Sequence, residues 1–272
     1  MSQQALTYTQ YLKIDELLSL NHPQSEEHDE PLFIAIHQVY ELWFKQVLHE
    51  FRAAQRTLEA GDTFASLATL GRIRTIFKTC VSQLDILETM TPLQYNSFRD
   101  RLTSGSGFQS AQFRELEAVL GRRDHAGAGA EKGSGMGMSE HLVPGSTARK
   151  AVEDAMARPS VWDSTLRYLA GRGHAIPAEL LDRDVSAPYG GDERVQETLL
   201  AVLHTDPEAG LLCESLVDID EGLQEWRYRH VKMVERTIGN KSGTGGSSGV
   251  GYLRSTLFHS VFPDLWAIRT RF

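Results

Sequence analysis

The sequence predicts an all-α protein that folds as a single helical-bundle domain. Apolar residues recur at spacings of three and four along most of the chain, which is typical of helices with one buried face. No stretch alternates apolar and polar residues over the length of a strand. At 272 residues the chain is long enough to bury a substantial core. We therefore expect one domain over residues 1–272.

The composition argues against several classes of protein. The chain is 41% hydrophobic and 24% charged, and its formal net charge of −8 makes a nucleic-acid partner a poor expectation. No apolar run reaches the roughly 18 residues that a membrane span needs, and the first residues do not resemble a signal peptide. Cys80 and Cys213 lie far apart without a CxxC motif, so we expect buried thiols in a reducing cytoplasm and no zinc or iron–sulfur cluster.

The first segment, residues 6–20, has apolar side chains at helical spacing and predicts an amphipathic N-terminal arm. Tyr8 and Tyr11 lie on this arm. They either form an ordinary packing stripe or cover a neighbouring subunit. A polar connection over 21–30 follows, and Pro31 is a good first residue for the next helix.

The helix that begins at Pro31 is predicted to be central, because it is apolar on two sides. One stripe consists of Leu32, Ile36, Val39, Trp43 and Val47, and a second of Phe33, Tyr40, Phe44 and Phe51. His37 lies within the second stripe, one turn after Phe33, and should point inward. An inward histidine is either a hydrogen-bonded core residue or a catalytic one.

A second long helix is expected over 63–90, and Thr91-Pro92 ends it and begins the next. There Tyr95 and Arg99 are four residues apart and share one helical face. A guanidinium and a phenol together suit a carboxylate, although an arginine stacked on a tyrosine at the surface is equally common. A glycine-serine turn at 104–110 and a helix at 111–120 follow.

The segment 121–149 is small, polar and glycine-rich, and predicts a flexible loop within the domain. Helical patterns resume at 150–173, 193–204 and 211–236. His230 extends the inward stripe of the last of these helices, four residues after Trp226.

A glycine-serine loop follows His230, and glycines at this density indicate sharp turns or a close approach to a ligand. Its residues 244–251, TGGSSGVG, match the dinucleotide-binding pattern TGxxxGxG of short-chain dehydrogenases. That motif requires a buried strand before it and a βαβ sheet after it, whereas here a charged helix precedes and only 21 residues follow Gly251. We reject the nucleotide interpretation and expect another ligand beside the loop.

Four stretches together resemble tryptophan 2,3-dioxygenase, a family of haem enzymes that open the indole ring of L-tryptophan. They are HDEPLFIAIHQVYELWFKQVLHE (28–50), YNSFRDRLTSGSGFQSAQFR (95–114), WRYRHVKMVERTIG (226–239) and GTGGSSGVGYL (243–253). The N-terminal YTQYLKIDELL is similar as well, so the resemblance spans nearly the whole chain in the family's order.

The resemblance implies a role for each matching residue around a haem b. His230 would be the axial ligand of the iron, and His37 would hydrogen-bond the indole N–H. Phe33 would contact the indole face, and Tyr95 and Arg99 would bind the substrate carboxylate. Thr244 would bind the ammonium and carboxylate end of the substrate, and Ser106 and Gly107 would lie near a haem propionate or bound oxygen. Tyr8 and Tyr11 would reach in from a neighbouring subunit.

The implied reaction adds O2 across the indole C2–C3 bond to give N-formyl-L-kynurenine, the first step of the kynurenine pathway. The family resemblance also implies a homotetramer in which the N-terminal arm is exchanged between subunits. Sequence alone leaves three alternatives: a relative that inserts one oxygen into a substituted tryptophan to give an oxindole, a haem sensor without turnover, and the disfavoured dehydrogenase.

Overall fold

The computed structural model describes residues 5–103, 107–123, 137–241 and 250–272, without the side chains of Phe108 and Tyr252. In these ranges all regular secondary structure is helical, as predicted. No described helix has the length and apolar character needed to cross a membrane. The α-helices are α1 (Tyr8–Leu12), α2 (Ile14–Leu18), α3 (Glu30–Glu59), α4 (Thr63–Leu87), α5 (Pro92–Phe98), α6 (Ala111–Val119), α7 (Thr147–Met156), α8 (Val161–Gly171), α9 (Ala178–Leu181), α10 (Glu193–Thr205), α11 (Pro207–Ile238), α12 (Val250–Ser255) and α13 (Pro263–Ala267). Short 3₁₀ helices cover Arg99–Leu102, Gly107–Gln109 and Ile268–Arg271.

Three long helices, α3, α4 and α11, form the centre of the bundle. α3 packs along α4, and α4 packs along α11. Each begins at a residue suited to a helix N-terminus: α3 has Pro31 in its first turn, where a missing N–H has no partner to lose. Asp62 and Asp206 precede α4 and α11, and their carboxylates accept hydrogen bonds from the backbone N–H groups of Ala65 and Ala209. α6 and α8 pack against α3, and α10 packs against α11.

The core lies where these helices meet, and it contains both cysteines. Cys80 of α4 and Cys213 of α11 are free thiols with at most 1% of their surface exposed, which confirms their predicted place in the core. Phe51 of α3 and Phe77 of α4 are among the largest fully buried side chains. Full burial of such a side chain contributes about 1.5–3 kcal/mol, so these contacts hold the central helices in register.

The N-terminal arm is two short helices, where the sequence predicts one over 6–20. Lys13 has φ of 55°, in the left-handed region, and this ends α1 before α2 begins. Thr7 starts α1 with a capping box that it forms with Gln10. The spacing of apolar residues does not reveal a left-handed backbone at one position, so the sequence did not predict the break at Lys13.

The helix predicted over 150–173 is likewise divided, into α7 and α8. Pro159 lies between them and cannot supply an N–H to a continuous helix. Ser160 then begins α8 with a capping box, in which its hydroxyl accepts from the backbone N–H of Asp163 and the Asp163 carboxylate accepts from the backbone N–H of Ser160.

The predicted flexible loop over 121–149 is structured at its C-terminal end. Met138 and Leu142 are buried in the core, and α7 already begins at Thr147. The surrounding residues are mostly small and polar, so the composition of the segment did not indicate these two buried apolar side chains. Residues 124–136 of the loop lie outside the described part of the chain.

A buried carboxylate, that of Asp220, helps to fix the C-terminal segment to α11. Its Oδ2 accepts hydrogen bonds from the backbone N–H groups of Val261 at 2.7 Å and Phe262 at 3.1 Å, and from Nε1 of Trp266 at 2.9 Å. Hydrogen bonds to a charged acceptor are stronger than neutral ones. They hold the chain that follows the second glycine-serine loop against α11.

Candidate active site

A cavity lies between α3, α4, α6, α11 and the C-terminal end of α12. Its empty volume, which includes space open to solvent, is about 840 Å³. Much of its wall is apolar or aromatic. These side chains include Tyr40, Phe44, Leu84, Leu87, Phe113 and Trp226. Two histidines and a small group of charged residues complete the lining.

His230 of α11 faces this cavity with a ring that Trp226 holds in place. The indole and imidazole rings are stacked, with centroids 5.0 Å apart and planes 6° apart. Burial, which has the largest effect, and the neighbouring His37 and Arg114 together lower the pKa of His230 to about 4. The imidazole is therefore neutral at pH 7, and no hydrogen bond from a described residue occupies its nitrogens. A neutral, fixed imidazole is a good ligand for a transition metal.

His37 of α3 reaches the same cavity. The structure leaves the His37 side chain exposed where it lines the cavity, so it is not the enclosed core residue that an inward position could have meant, and desolvation by the neighbouring protein atoms still lowers its pKa. Its Nδ1–H donates a hydrogen bond of 2.7 Å to the backbone carbonyl of Phe33. Because a carbonyl can only accept, Nδ1 carries the proton and the neutral ring keeps its lone pair on Nε2. His37 therefore offers an acceptor, and not a donor, at Nε2.

Aromatic side chains and Arg99 form a cluster next to His37. The Phe33 ring lies 4.1 Å from the ring of His37 and 5.8 Å from that of Tyr95, between centroids. Burial raises the pKa of Tyr95, and the adjacent Arg99 opposes that rise through its charge and a side-chain hydrogen bond. The predicted phenol–guanidinium pair is thus formed, although α5 ends at Phe98 and Arg99 begins a 3₁₀ helix.

A charged cluster closes another part of the wall around Glu117 of α6. Its carboxylate accepts hydrogen bonds from Arg114 at 2.5 Å, Arg122 at 2.9 Å and Arg227 at 3.0 Å. Burial alone would raise the pKa of Glu117, but the three guanidinium groups lower it to about 2. Glu117, Arg114 and Arg227 all line the cavity, so charged groups from α6 and α11 meet at its wall.

Comparison with known proteins identifies the family. The family model described as tryptophan 2,3-dioxygenase matches residues 1–130 and 204–272. The chain belongs to the tryptophan 2,3-dioxygenase family. A tryptophan 2,3-dioxygenase of Anaeromyxobacter sp. (strain K) is 56% identical over 269 residues, covering 97% of this chain and 96% of the relative. The enzyme of Herpetosiphon aurantiacus is 53% identical with 98% of each chain covered, and that of Bordetella pertussis is 40% identical with 97% and 90% covered.

Family membership confirms the resemblance read from the sequence and the predicted class of enzyme, an oxidoreductase. The structure brings most of the predicted site residues of this family member together. His37, His230 and Gly107 line the cavity, and Phe33 joins His37 to Tyr95 and its neighbour Arg99. Their roles remain predictions.

Four other predicted residues are not part of this arrangement. Ser106 and Thr244 lie outside the described residues. Tyr8 and Tyr11 are 75% and 73% exposed on α1, and they do not line the cavity of their own chain. An exposed position is what an arm directed at another subunit requires, and that role also remains a prediction.

Sequence reasoning missed the contribution of α6 to the site. Ser110, Phe113, Arg114 and Glu117 all line the cavity. Their spacing of three, four and seven residues marks one helical face, and that face carries charged residues although it is buried. A buried arginine and glutamate three residues apart would have been the available signal, because such charges are buried only in pairs.

Proposed function

We propose that the chain is a haem-dependent dioxygenase that opens the indole ring of L-tryptophan with O2 to give N-formyl-L-kynurenine. The observation that carries the proposal is the pair of neutral histidines on one cavity, His230 and His37. The His230 ring has no hydrogen-bond partner among the described residues and can offer one nitrogen lone pair to a metal, and His37 presents a fixed acceptor. Family membership supports tryptophan as the substrate and haem as the cofactor.

The cavity has the chemistry that a haem needs. His230 would supply the axial nitrogen, the apolar walls would contact the macrocycle, and Arg114 and Arg227 would be available to its carboxylates. A Cβ added at Gly107 would meet no described atom within 4 Å, so a ligand can approach the backbone closely there. When bound, the haem supplies the O2 chemistry of the reaction.

The substrate would be held by groups that match each part of a zwitterionic amino acid. Arg99 offers a planar pair of N–H donors to the carboxylate, with the Tyr95 hydroxyl as a further donor. Phe33 offers an aromatic face to the indole, held in place by its contacts with His37 and Phe98. Apolar contacts with a few placed polar groups are the usual composition of a small-molecule site.

His37 would orient the indole by accepting its N–H at Nε2. The Phe33 carbonyl fixes the proton of His37 on Nδ1, so Nε2 is always the acceptor while the ring is neutral. An indole N–H is far too weak an acid for an imidazole whose pKa is already lowered to deprotonate it. Orientation, and not proton abstraction, is therefore the role that the geometry supports.

The N-terminal arm supports an oligomer, for which we propose a homotetramer with arms exchanged between subunits. Leu6, Tyr8, Tyr11 and Leu18 are each more than 70% exposed along this arm. Several large apolar side chains exposed on one short segment favour a protein partner for the arm. A reducing compartment such as the cytoplasm is the expected location, and the two buried free thiols support it.

The proposal is tested by mixing the ferrous, haem-loaded protein with L-tryptophan in air and identifying the product. We expect N-formyl-L-kynurenine, with O2 consumed in equal amount. An oxindole would instead assign the chain to one-oxygen chemistry. A haem spectrum that does not respond to L-tryptophan would reject the substrate clamp and favour a haem sensor.

A further inference from the structure

Glu117 is a buried charged group for which the reaction proposed above has no direct use. Only 2% of the residue is exposed, although it carries a negative charge at neutral pH. Burial of a charge is costly unless the charge is paired, so its presence requires an explanation. Its three arginine partners come from different parts of the chain: Arg114 from α6, Arg122 from the segment after α6, and Arg227 from α11.

The carboxylate connects two walls of the cavity. Arg114 and Arg227 are themselves buried and line the cavity, and each donates to a different oxygen of Glu117. Arg227 lies one turn before His230, and the charge of Arg114 already acts on the His230 ring. Glu117 thus pairs with two positive charges near the histidine that would bind iron, and Arg227 also donates to the backbone carbonyls of Thr256 and His259.

The charge of this region is balanced by Glu117. The charged residues among the described lining are Glu41, Arg114, Glu117 and Arg227, two carboxylates and two guanidinium groups whose sum is zero. Removing the charge of Glu117 would make this region more positive by about one unit charge, and electrostatic effects in a poorly solvated region are larger than in water. A positive charge near a metal favours the more reduced state, because the reduced metal carries less positive charge.

We propose that Glu117 is a positioning residue of the haem site, which holds Arg114 and Arg227 at the cavity wall and keeps the reduction potential of the iron low. This inference rests on the proposed binding of haem at His230. Glu117 itself does not contact the substrate in this proposal. Its effect passes through the two arginines and through the local electric field.

The test is the midpoint potential of the ferric/ferrous couple in haem-loaded Glu117→Gln, measured by spectroelectrochemistry. We expect the equilibrium to shift about tenfold toward the ferrous state, equal to about +59 mV for one electron. Glu117→Asp, which keeps the charge, should restore most of the wild-type potential. A Glu117→Gln protein with a normal haem spectrum and an unchanged potential would overturn the proposal.

Asp163→Asn is the matched control. Asp163 is also buried, at 3% exposure, and pairs with Arg183 at 2.7 Å, but it does not line the cavity. Its loss should lower stability and leave the potential unchanged, and an equal shift in this control would refute a local role for Glu117. If Glu117→Gln does not accumulate as folded protein, Arg122→Gln replaces it. Removal of that positive charge should shift the potential toward the ferric state, and no shift would again refute the proposal.

Two measurements distinguish a failure of the proposed haem binding from a failure of the proposed role of Glu117. A wild-type chain that binds no haem, or binds it equally well after His230→Ala, would contradict the proposed cofactor site. A wild-type chain that binds haem through His230 but shows no effect of Glu117→Gln contradicts only the role of Glu117.

Discussion

Replacement of His37 distinguishes an orienting histidine from a catalytic base. In the orienting role, His37→Ala loses one neutral hydrogen bond to the substrate, a loss of about 0.5–1.5 kcal/mol. It also removes the ring that contacts Phe33 at 4.1 Å, and such aromatic pairs contribute about 0.5–1.5 kcal/mol. If the unsupported Phe33 ring also loses its contact with the indole, the sum of about 1–3 kcal/mol corresponds to a roughly 5- to 150-fold fall in kcat/KM.

Loss of a general base would cost about 10²–10⁴-fold, so Ala alone does not separate the two roles at the upper end of this range. His37→Gln does. A glutamine side chain offers an amide oxygen as acceptor but cannot take up a proton at neutral pH. If His37 orients the indole, Gln should recover much of the activity that Ala loses.

The assay is steady-state kinetics with L-tryptophan on haem-loaded protein of each variant. His49→Ala is the control, because His49 lies on the exposed face of the same helix, α3. Residual turnover in His37→Ala and partial recovery in His37→Gln are the expected results. Complete and equal loss in both variants, with haem content and fold intact, would refute the orienting role.

Four further predictions address the cofactor, the substrate, the fold and its response to pH. His230→Ala should abolish stable haem binding measured by absorption spectroscopy, whereas His204→Ala, at an exposed histidine of α10, should not. Arg99→Lys should lower kcat/KM for L-tryptophan by about 10- to 100-fold in steady-state assays, because a lysine cannot replace the planar pair of donors. An unchanged kcat/KM would show that Arg99 does not bind the substrate carboxylate. Asp220→Ala should lower the free energy of unfolding by about 3 kcal/mol in urea titrations, since buried donors left unsatisfied cost about 1–3 kcal/mol each. In the haem-free protein, the stability that Glu117 contributes should be complete above its ordinary pKa of 4.5 and should be lost as pH falls toward its folded pKa of about 2. The difference in the free energy of unfolding between wild type and Glu117→Gln should therefore shrink over that interval. A constant difference would contradict the lowered pKa.

The long helices were predictable because their apolar residues repeat over many turns. The double stripe that contains His37 indicated a central helix, and α3 is one of the three central helices of the bundle. The short elements were less predictable. The left-handed backbone of Lys13 and the break at Pro159 are set at single residues, and a periodic pattern averages over them.

The positions of His37 and His230 at the cavity were predictable, because a motif or an apolar helical stripe marked both residues. Glu117 was marked only weakly, by Arg114 three residues before it, because a glutamate on a helix is usually solvated and its partner Arg227 is 110 residues away. Local sequence patterns cannot indicate a cluster whose members lie so far apart in the chain. The buried anchors Met138 and Leu142 were hidden for a different reason, the glycine-rich composition around them.

The most direct test of the proposed reaction is the mass of the product formed from L-tryptophan and ¹⁸O-labelled O2 by the ferrous, haem-loaded protein. A dioxygenase that cleaves the indole C2–C3 bond places both oxygen atoms of O2 in N-formyl-L-kynurenine, so we predict a product that carries two labelled atoms. A product that carries one labelled atom, or no product from L-tryptophan at all, would contradict the proposed function.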